Sequence, residues 1–189
     1  MKNIVLFASG SGTNVENIIV YFKQKQTAKV TAVFSNNPNA QVLERAQKHQ
    51  VPTIVFSRAE LKNGIVLDRL NECKPDLIVL AGFLWQFPIS IIEKYQNKII
   101  NIHPALLPKF GGKGMYGMNV HTAVLENKEI ETGITIHHVN EHYDQGNIIF
   151  QQSVPIDDCT TAEAIAQKIH TLEHQYFPIV IDEFLNFKS

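Results

Sequence analysis

The sequence predicts an α/β fold, in which a mostly parallel, twisted sheet of about seven strands carries helices on both faces. Three observations predict it. Residues 3–8 and 76–81 are short, continuous apolar runs (Asn3-Ile4-Val5-Leu6-Phe7-Ala8 and Asp76-Leu77-Ile78-Val79-Leu80-Ala81), the pattern of strands buried on both faces. Strand-like and helix-like segments then alternate, the signature of parallel strands joined by crossover helices. Between the first strand and the first helix lies a glycine-rich turn, Ser9-Gly10-Ser11-Gly12-Thr13-Asn14.

Val15, Ile18, Ile19 and Phe22 recur at helical spacing after that turn. The helix start offers free N–H groups and a positive dipole end, which suit an anion. The turn is neither a Walker loop nor a full dinucleotide fingerprint, because no Gly-Lys-Ser/Thr occurs and Val15 stands where a third glycine belongs. Thr13 or Asn14 is expected to cap the helix. Strand two is predicted over 29–35, a helix over 40–49 and strand three over 53–56. Ser57 then caps a helix ending near Lys74-Pro75. After strand four, Gly82-Phe83-Leu84-Trp85-Gln86-Phe87 forms an apolar loop, and Pro88 opens a short helix to Tyr95.

Residues 98–103 form a short strand that Pro104 stops, because proline cannot donate to a ladder and restricts His103. Residues 109–117 hold four glycines and cannot pack as regular structure; the segment 109–119 reads either as a mobile lid near a pocket mouth or as a rigid surface insertion packed in a dimer contact. A helix follows over 121–127. Strand six (133–139) and strand seven (147–155) are joined by a short loop, so they pair antiparallel. Thr160 or Thr161 caps a last amphipathic helix, with Ala164, Ile165, Ile169, Leu172 and Tyr176 as its apolar stripe. Glu173 lies on that helix near His174 and reads by itself as a solvated face residue.

A chain of 189 residues that is 44% hydrophobic supports one domain, 1–189, with a real core. A net charge of -1 argues against broad nucleic-acid binding, though not against a local pocket for one phosphate. Cys73 and Cys159 are too few and too far apart for a disulfide framework or a zinc site. No apolar run reaches the ~18 residues of a membrane span, and no leader pattern precedes the first strand, so a cytoplasmic protein with no membrane partner is expected.

In sheets of this kind ligands bind beyond the carboxyl ends of strands. The glycine-rich turn, the Gly82 loop, Asn101/His103 and the loop holding Asp144 all follow strands. With strands one, four, five and six as parallel neighbours, they share one edge. Asn101 and His103 are two apart and point to one face of an extended chain. An amide can donate to a developing oxyanion, an imidazole can move a proton near neutral pH, and a carboxylate can orient it. His103, His137, His138, His142 and Asp144 lack the helical pairing of typical imidazole-carboxylate metal sites, so no metal is expected.

Two runs carry a resemblance: Asn101-x-His103-Pro104-x-Leu106-Leu107-Pro108, and Gly133-x-Thr135-Ile136-x-x-Val139-x-Glu141-x-Tyr143-Asp144-x-Gly146. Both are similar to signatures of the folate-dependent formyltransferase family, and the similarity extends over nearly the whole chain. The resemblance implies a Rossmann-like formyltransferase fold and transfer of the formyl group of 10-formyltetrahydrofolate to the amine of glycinamide ribonucleotide. It implies direct transfer, with formyl folate as co-substrate and no metal. Asn101, His103, His137 and Asp144 would be catalytic. Gly12, Thr13 and Asn14 would meet the nucleotide phosphate and Glu173 its ribose. Arg58, Leu84, Trp85, Gln86, Phe87, Asn101, Asn140, Glu141, Tyr143 and Asp144 would meet the folate. His138 departs from the aromatic or apolar residue usual there, and the segment 109–119 is longer than usual. Other members carry an added C-terminal or N-terminal domain; with strand one starting at Asn3 and the last helix ending by Ser189, neither is expected here. The alternatives are a formyltetrahydrofolate deformylase and a nucleotide-binding module without transfer chemistry. Either a monomer or a homodimer fits.

Overall fold

The structure, a computed structural model, describes residues 1–187. Its elements run β1 (Lys2–Phe7), α1 (Thr13–Lys25), β2 (Ala28–Ser35), α2 (Gln41–Lys48), β3 (Thr53–Val55), α3 (Arg58–Lys62), α4 (Ile65–Cys73), β4 (Leu77–Leu80) and α5 (Ile89–Lys94). There follow β5 (Ile99–His103), α6 (Met118–Glu126), β6 (Glu131–His138), β7 (Ile148–Pro155) and α7 (Ala162–Phe187). Among the described residues seven strands form one sheet in the order β3-β2-β1-β4-β5-β6-β7. The first five pair in parallel and β6 and β7 antiparallel.

Alternate residues of the central strands feed two cores. Ile4 and Leu6 face one side with Ile18, Phe22, Ile169 and Phe177; Val5 and Phe7 face the other with Phe34, Leu70 and Ile91. Burial on both faces is what makes β1 and β4 apolar throughout. On the second face Phe7 stacks on Phe34 with ring centroids 4.7 Å apart and meets Phe83 and Phe87 edge-on, so the 82–87 loop is packed directly onto the strand.

The chain builds outward from β1 through β2 to β3, then returns to the other side of β1 with β4. That reversal opens a crevice at the carboxyl ends of β1 and β4. The two loops leaving it are tied together: Ser9 N–H donates to the Gly82 carbonyl at 3.0 Å, and Leu84 N–H to Ser9 Oγ at 3.0 Å.

Several expectations change. The helix expected between Ser57 and Lys74 is two helices, α3 and α4, because Gly64 takes φ 95 and turns the chain. Ser57 does cap the first, in a capping box with Glu60. Neither Thr13 nor Asn14 caps α1; Gly12 stands at that cap with φ 74 and no side-chain bond. β6 is antiparallel to β5, with Asn101 opposite His137 and Ile102 opposite Ile136. Its carboxyl end therefore points away from the crevice, and the 139–147 loop must fold back to reach it. Gly146 makes that return possible, since a Cβ there would lie 1.6 Å from the His138 carbonyl oxygen.

Of the two threonines proposed to cap α7, Thr161 does so, its Oγ1 accepting from Ala164 N–H at 3.2 Å. Pro178 sits inside this helix and has no N–H for the His174 carbonyl, four residues before it. Asn17 of α1 supplies the missing donor, Nδ2 to His174 O at 2.8 Å. The bond holds α7 against α1, and with it the polar end of the crevice.

Candidate active site

A cavity of about 650 Å³ fills the crevice. Its polar end is the turn after β1. Gly12 is required there by packing as well as backbone shape: a Cβ would meet Val42 Cγ2 at 2.3 Å and Val42 Cα at 2.7 Å. Asn14 Nδ2 donates to Glu173 Oε2 at 2.9 Å, and His170 Nδ1 lies 3.0 Å from the same oxygen. His170 Nε2 is 2.9 Å from Thr13 Oγ1. The hydrogen bond to Glu173 raises the His170 pKa, outweighing the opposing effect of burial. Glu173, expected on a solvated face, is only 8% exposed. It occupies the buried stripe of α7 between Ile169 and Phe177. A carboxylate so placed stays only because it is hydrogen-bonded.

The centre is built on β5 and β6. His137 Nδ1–H donates to the His138 carbonyl at 2.8 Å, so in the neutral ring Nε2 is an acceptor, and Asn101 Nδ2 donates to it at 3.1 Å. Asn101 is thereby pinned with its amino group beside His137 at the cavity wall. His103 is 3% exposed. Its Nε2–H donates to the Phe110 carbonyl at 2.8 Å. Asp144 lies between the rings, Oδ2 3.6 Å from His103 Nδ1 and Oδ1 3.6 Å from His137 Nε2. Its Oδ2 accepts a hydrogen bond from Gly112 N–H at 2.9 Å. Burial works to raise the Asp144 pKa, but His137, His103 and the Gly112 N–H together hold it below the usual carboxylate range. Burial lowers the pKa of His103 despite the opposing effect of the neighbouring Asp144 carboxylate, and so favours the neutral ring.

The apolar end is the loop after β4. Leu84, Trp85, Gln86 and Phe87 line the cavity with Val139, Asn140 and Tyr143. Gln86 Nε2 donates to the Glu141 carbonyl at 2.6 Å, closing that wall. Arg58 and Glu141 do not themselves line the cavity. The Arg58 guanidinium lies over the Trp85 ring, 4.7 Å from its centroid. His138 turns away, its ring 5.5 Å from that of Phe184. Residues 112–117 complete the mouth, but their base is not free: Phe110 and Gly112 are bonded into the centre.

The sequence reasoning missed His121 and His170. His121 is 6% exposed and its Nδ1 is buried with no hydrogen-bond partner among the described residues. Its spacing on α6 looks like that of a core residue, and only the approach of α6 to α7 brings it to the cavity. Among the described residues no group of three or more His, Cys, Asp or Glu is placed to hold a metal ion, and no helix is long and apolar enough to cross a membrane.

The buried rings predict a pH dependence. Burial lowers the pKa of His103, His121 and His174 below the ordinary 6.5. Below that value the unfolded chain takes protons the folded rings refuse, so stability falls as pH falls. His170 acts oppositely: its bond to Glu173 is strongest below 6.5 and is lost as pH rises through its raised value. With three groups against one, the chemical-denaturation midpoint should drop from about pH 7.5 to about pH 5.5, above the range where carboxylates titrate. A midpoint that rises with acidity would show that these rings are not held neutral by burial.

Comparison with known proteins places these features in context. A family model described as formyl transferase matches residues 2–181. A phosphoribosylglycinamide formyltransferase of Bacillus subtilis is 35% identical over 195 aligned positions, covering 100% of this chain and 97% of its own. A chloroplastic phosphoribosylglycinamide formyltransferase of Vigna unguiculata is 36% identical over 96% of this chain, which spans 60% of that relative's length. The crystal structure of phosphoribosylglycinamide formyltransferase from Anaplasma phagocytophilum superimposes with a TM-score of 0.90 at 33% identity, covering 99% of this chain and 88% of that one.

Proposed function

The chain belongs to the formyl transferase family, and from that premise we propose that it transfers the formyl group of 10-formyltetrahydrofolate to the amine of glycinamide ribonucleotide, the formyl-transfer step of purine synthesis. The observation that carries this reading is the layout of one cavity. An anion-binding helix start and the Glu173 carboxylate lie at one end, a flat apolar wall at the other, and Asn101, His103 and Asp144 between them. A phosphorylated sugar fits the first end and a fused aromatic ring the second. The reacting amine and formyl carbon then meet over the centre.

In this reading the amine attacks the formyl carbon and its oxygen becomes negative. The free N–H of Asn101 faces that oxygen. A neutral His103 backed by ionised Asp144 takes the proton the amine must lose, becomes the imidazolium beside the oxyanion, and returns the proton to the departing folate nitrogen. Atoms and charge balance without a covalent enzyme intermediate. Holding both reactants in one cavity can contribute on the order of 7–11 kcal/mol to the acceleration.

A deformylase would use the same centre with water as the nucleophile. The Thr13–His170–Glu173–Asn14 network favours transfer, because hydrolysis needs no polar nucleotide end. Purified protein should form formylglycinamide ribonucleotide only with both substrates present. Rapid release of free formate without the nucleotide would replace this reading with the deformylase.

A further inference from the structure

Residues 110–112 reach the centre by their backbone. The Phe110 carbonyl accepts from His103 Nε2–H at 2.8 Å, and Gly112 N–H donates to Asp144 Oδ2 at 2.9 Å. Phe110 holds φ 55, a left-handed conformation that a bulky residue adopts only when its surroundings impose it. Gly112 has φ 99, while a Cβ at Gly111 would lie 2.5 Å from Leu107 Cδ2 and 3.3 Å from Asp144 Cβ, so a side chain there must displace the Leu107 tip and press on Asp144. An aimed carbonyl, a residue stripped of its Cβ against Asp144 and an aimed N–H thus follow one another in sequence.

We propose that Phe110-Gly111-Gly112 is a two-point positioning clamp that decides which nitrogen of His103 handles the proton. A carbonyl can only accept, so the clamp locks the hydrogen of the neutral ring on Nε2 and leaves Nδ1 bare. The clamp also turns Oδ2 of Asp144 toward that bare nitrogen, at 3.6 Å. Two acceptors facing each other are complementary to a group that brings N–H bonds, such as a primary amine, and not to an aprotic one. Phe110 and Gly112 act through other residues and need touch no substrate. The chemical use of Nδ1 rests on the function proposed above; the tautomer does not.

The tautomer is read directly from two-bond nitrogen–proton correlations of histidine-labelled protein, with His103 assigned by its absence from His103→Gln. Without substrates, neutral His103 should carry its proton on Nε2. Gly111→Val should shift His103 toward a mixture of tautomers and lower turnover by about 10²-fold, with each KM changed by less than about threefold. If that variant does not fold, Phe110→Gly takes its place; it keeps the carbonyl but releases its aim, and the same two changes are expected. A proton on Nδ1 in the unsubstituted protein overturns the proposal. So does a folded variant with normal turnover, or one with lost turnover and an unchanged His103 tautomer. Failure of the unsubstituted protein to transfer formyl groups would sink the proposed function and leave the tautomer result standing.

Discussion

Asp144→Asn is expected to lower turnover at least ~10²-fold while changing substrate affinity little, the loss typical of removing a general acid–base partner. The substitution removes charge and keeps shape. Asp144 holds φ 56, a conformation asparagine tolerates better than most residues, and an amide oxygen can still accept from Gly112 N–H. The fold of the 139–147 loop should therefore survive. What disappears is the negative charge 3.6 Å from His103 Nδ1 and from His137 Nε2. Without it nothing at that position favours the imidazolium that burial already disfavours, so the proton taken from the amine has no stable place to wait. Steady-state kinetics in both substrates, with a melting curve as control, decide the matter. Turnover near that of the unsubstituted protein would remove Asp144 from the proton path.

Asn101→Ala should cost ~10²–10³-fold in turnover, the range seen when one oxyanion donor is removed. Its amino group is already oriented by His137 Nε2, which is itself set by the His138 carbonyl on Nδ1. The donor is thus aimed before substrate arrives, which is where electrostatic stabilisation is most effective. The loss should fall on kcat, because the negative oxygen exists only in the transition state and intermediate. His137 loses one hydrogen bond, so stability should fall by only about 1 kcal/mol. Retention of more than one-tenth of turnover would exclude Asn101 as the main oxyanion donor.

Much of this centre was legible in the chain because its signals are local. The strand–turn–helix at Ser9–Asn14, the stop at Pro104 that ends β5, and the two-residue spacing of Asn101 and His103 depend on neighbours alone. So does the hairpin of β6 and β7, whose short connection permits only antiparallel pairing. The family signatures at 101–108 and 133–146 added the roles proposed for these residues.

Tertiary structure decided the rest. The direction of β6 relative to β5 leaves no trace in a period of two, so the return of the Asp144 loop over Gly146 emerged only when the sheet was assembled. Glu173 interrupts an apolar stripe, and only Asn14 and His170, brought in by the packing of α1 on α7 and by its own helix, make that interruption affordable to the fold. The tautomer of His103 hangs on the carbonyl of Phe110, seven residues on but turned back by a left-handed residue that no propensity predicts. Sequence patterning records which residues can be buried and where the chain can turn. Which backbone groups end up facing a buried ring is set by long-range contacts, and these gave the two imidazoles of this site their different roles.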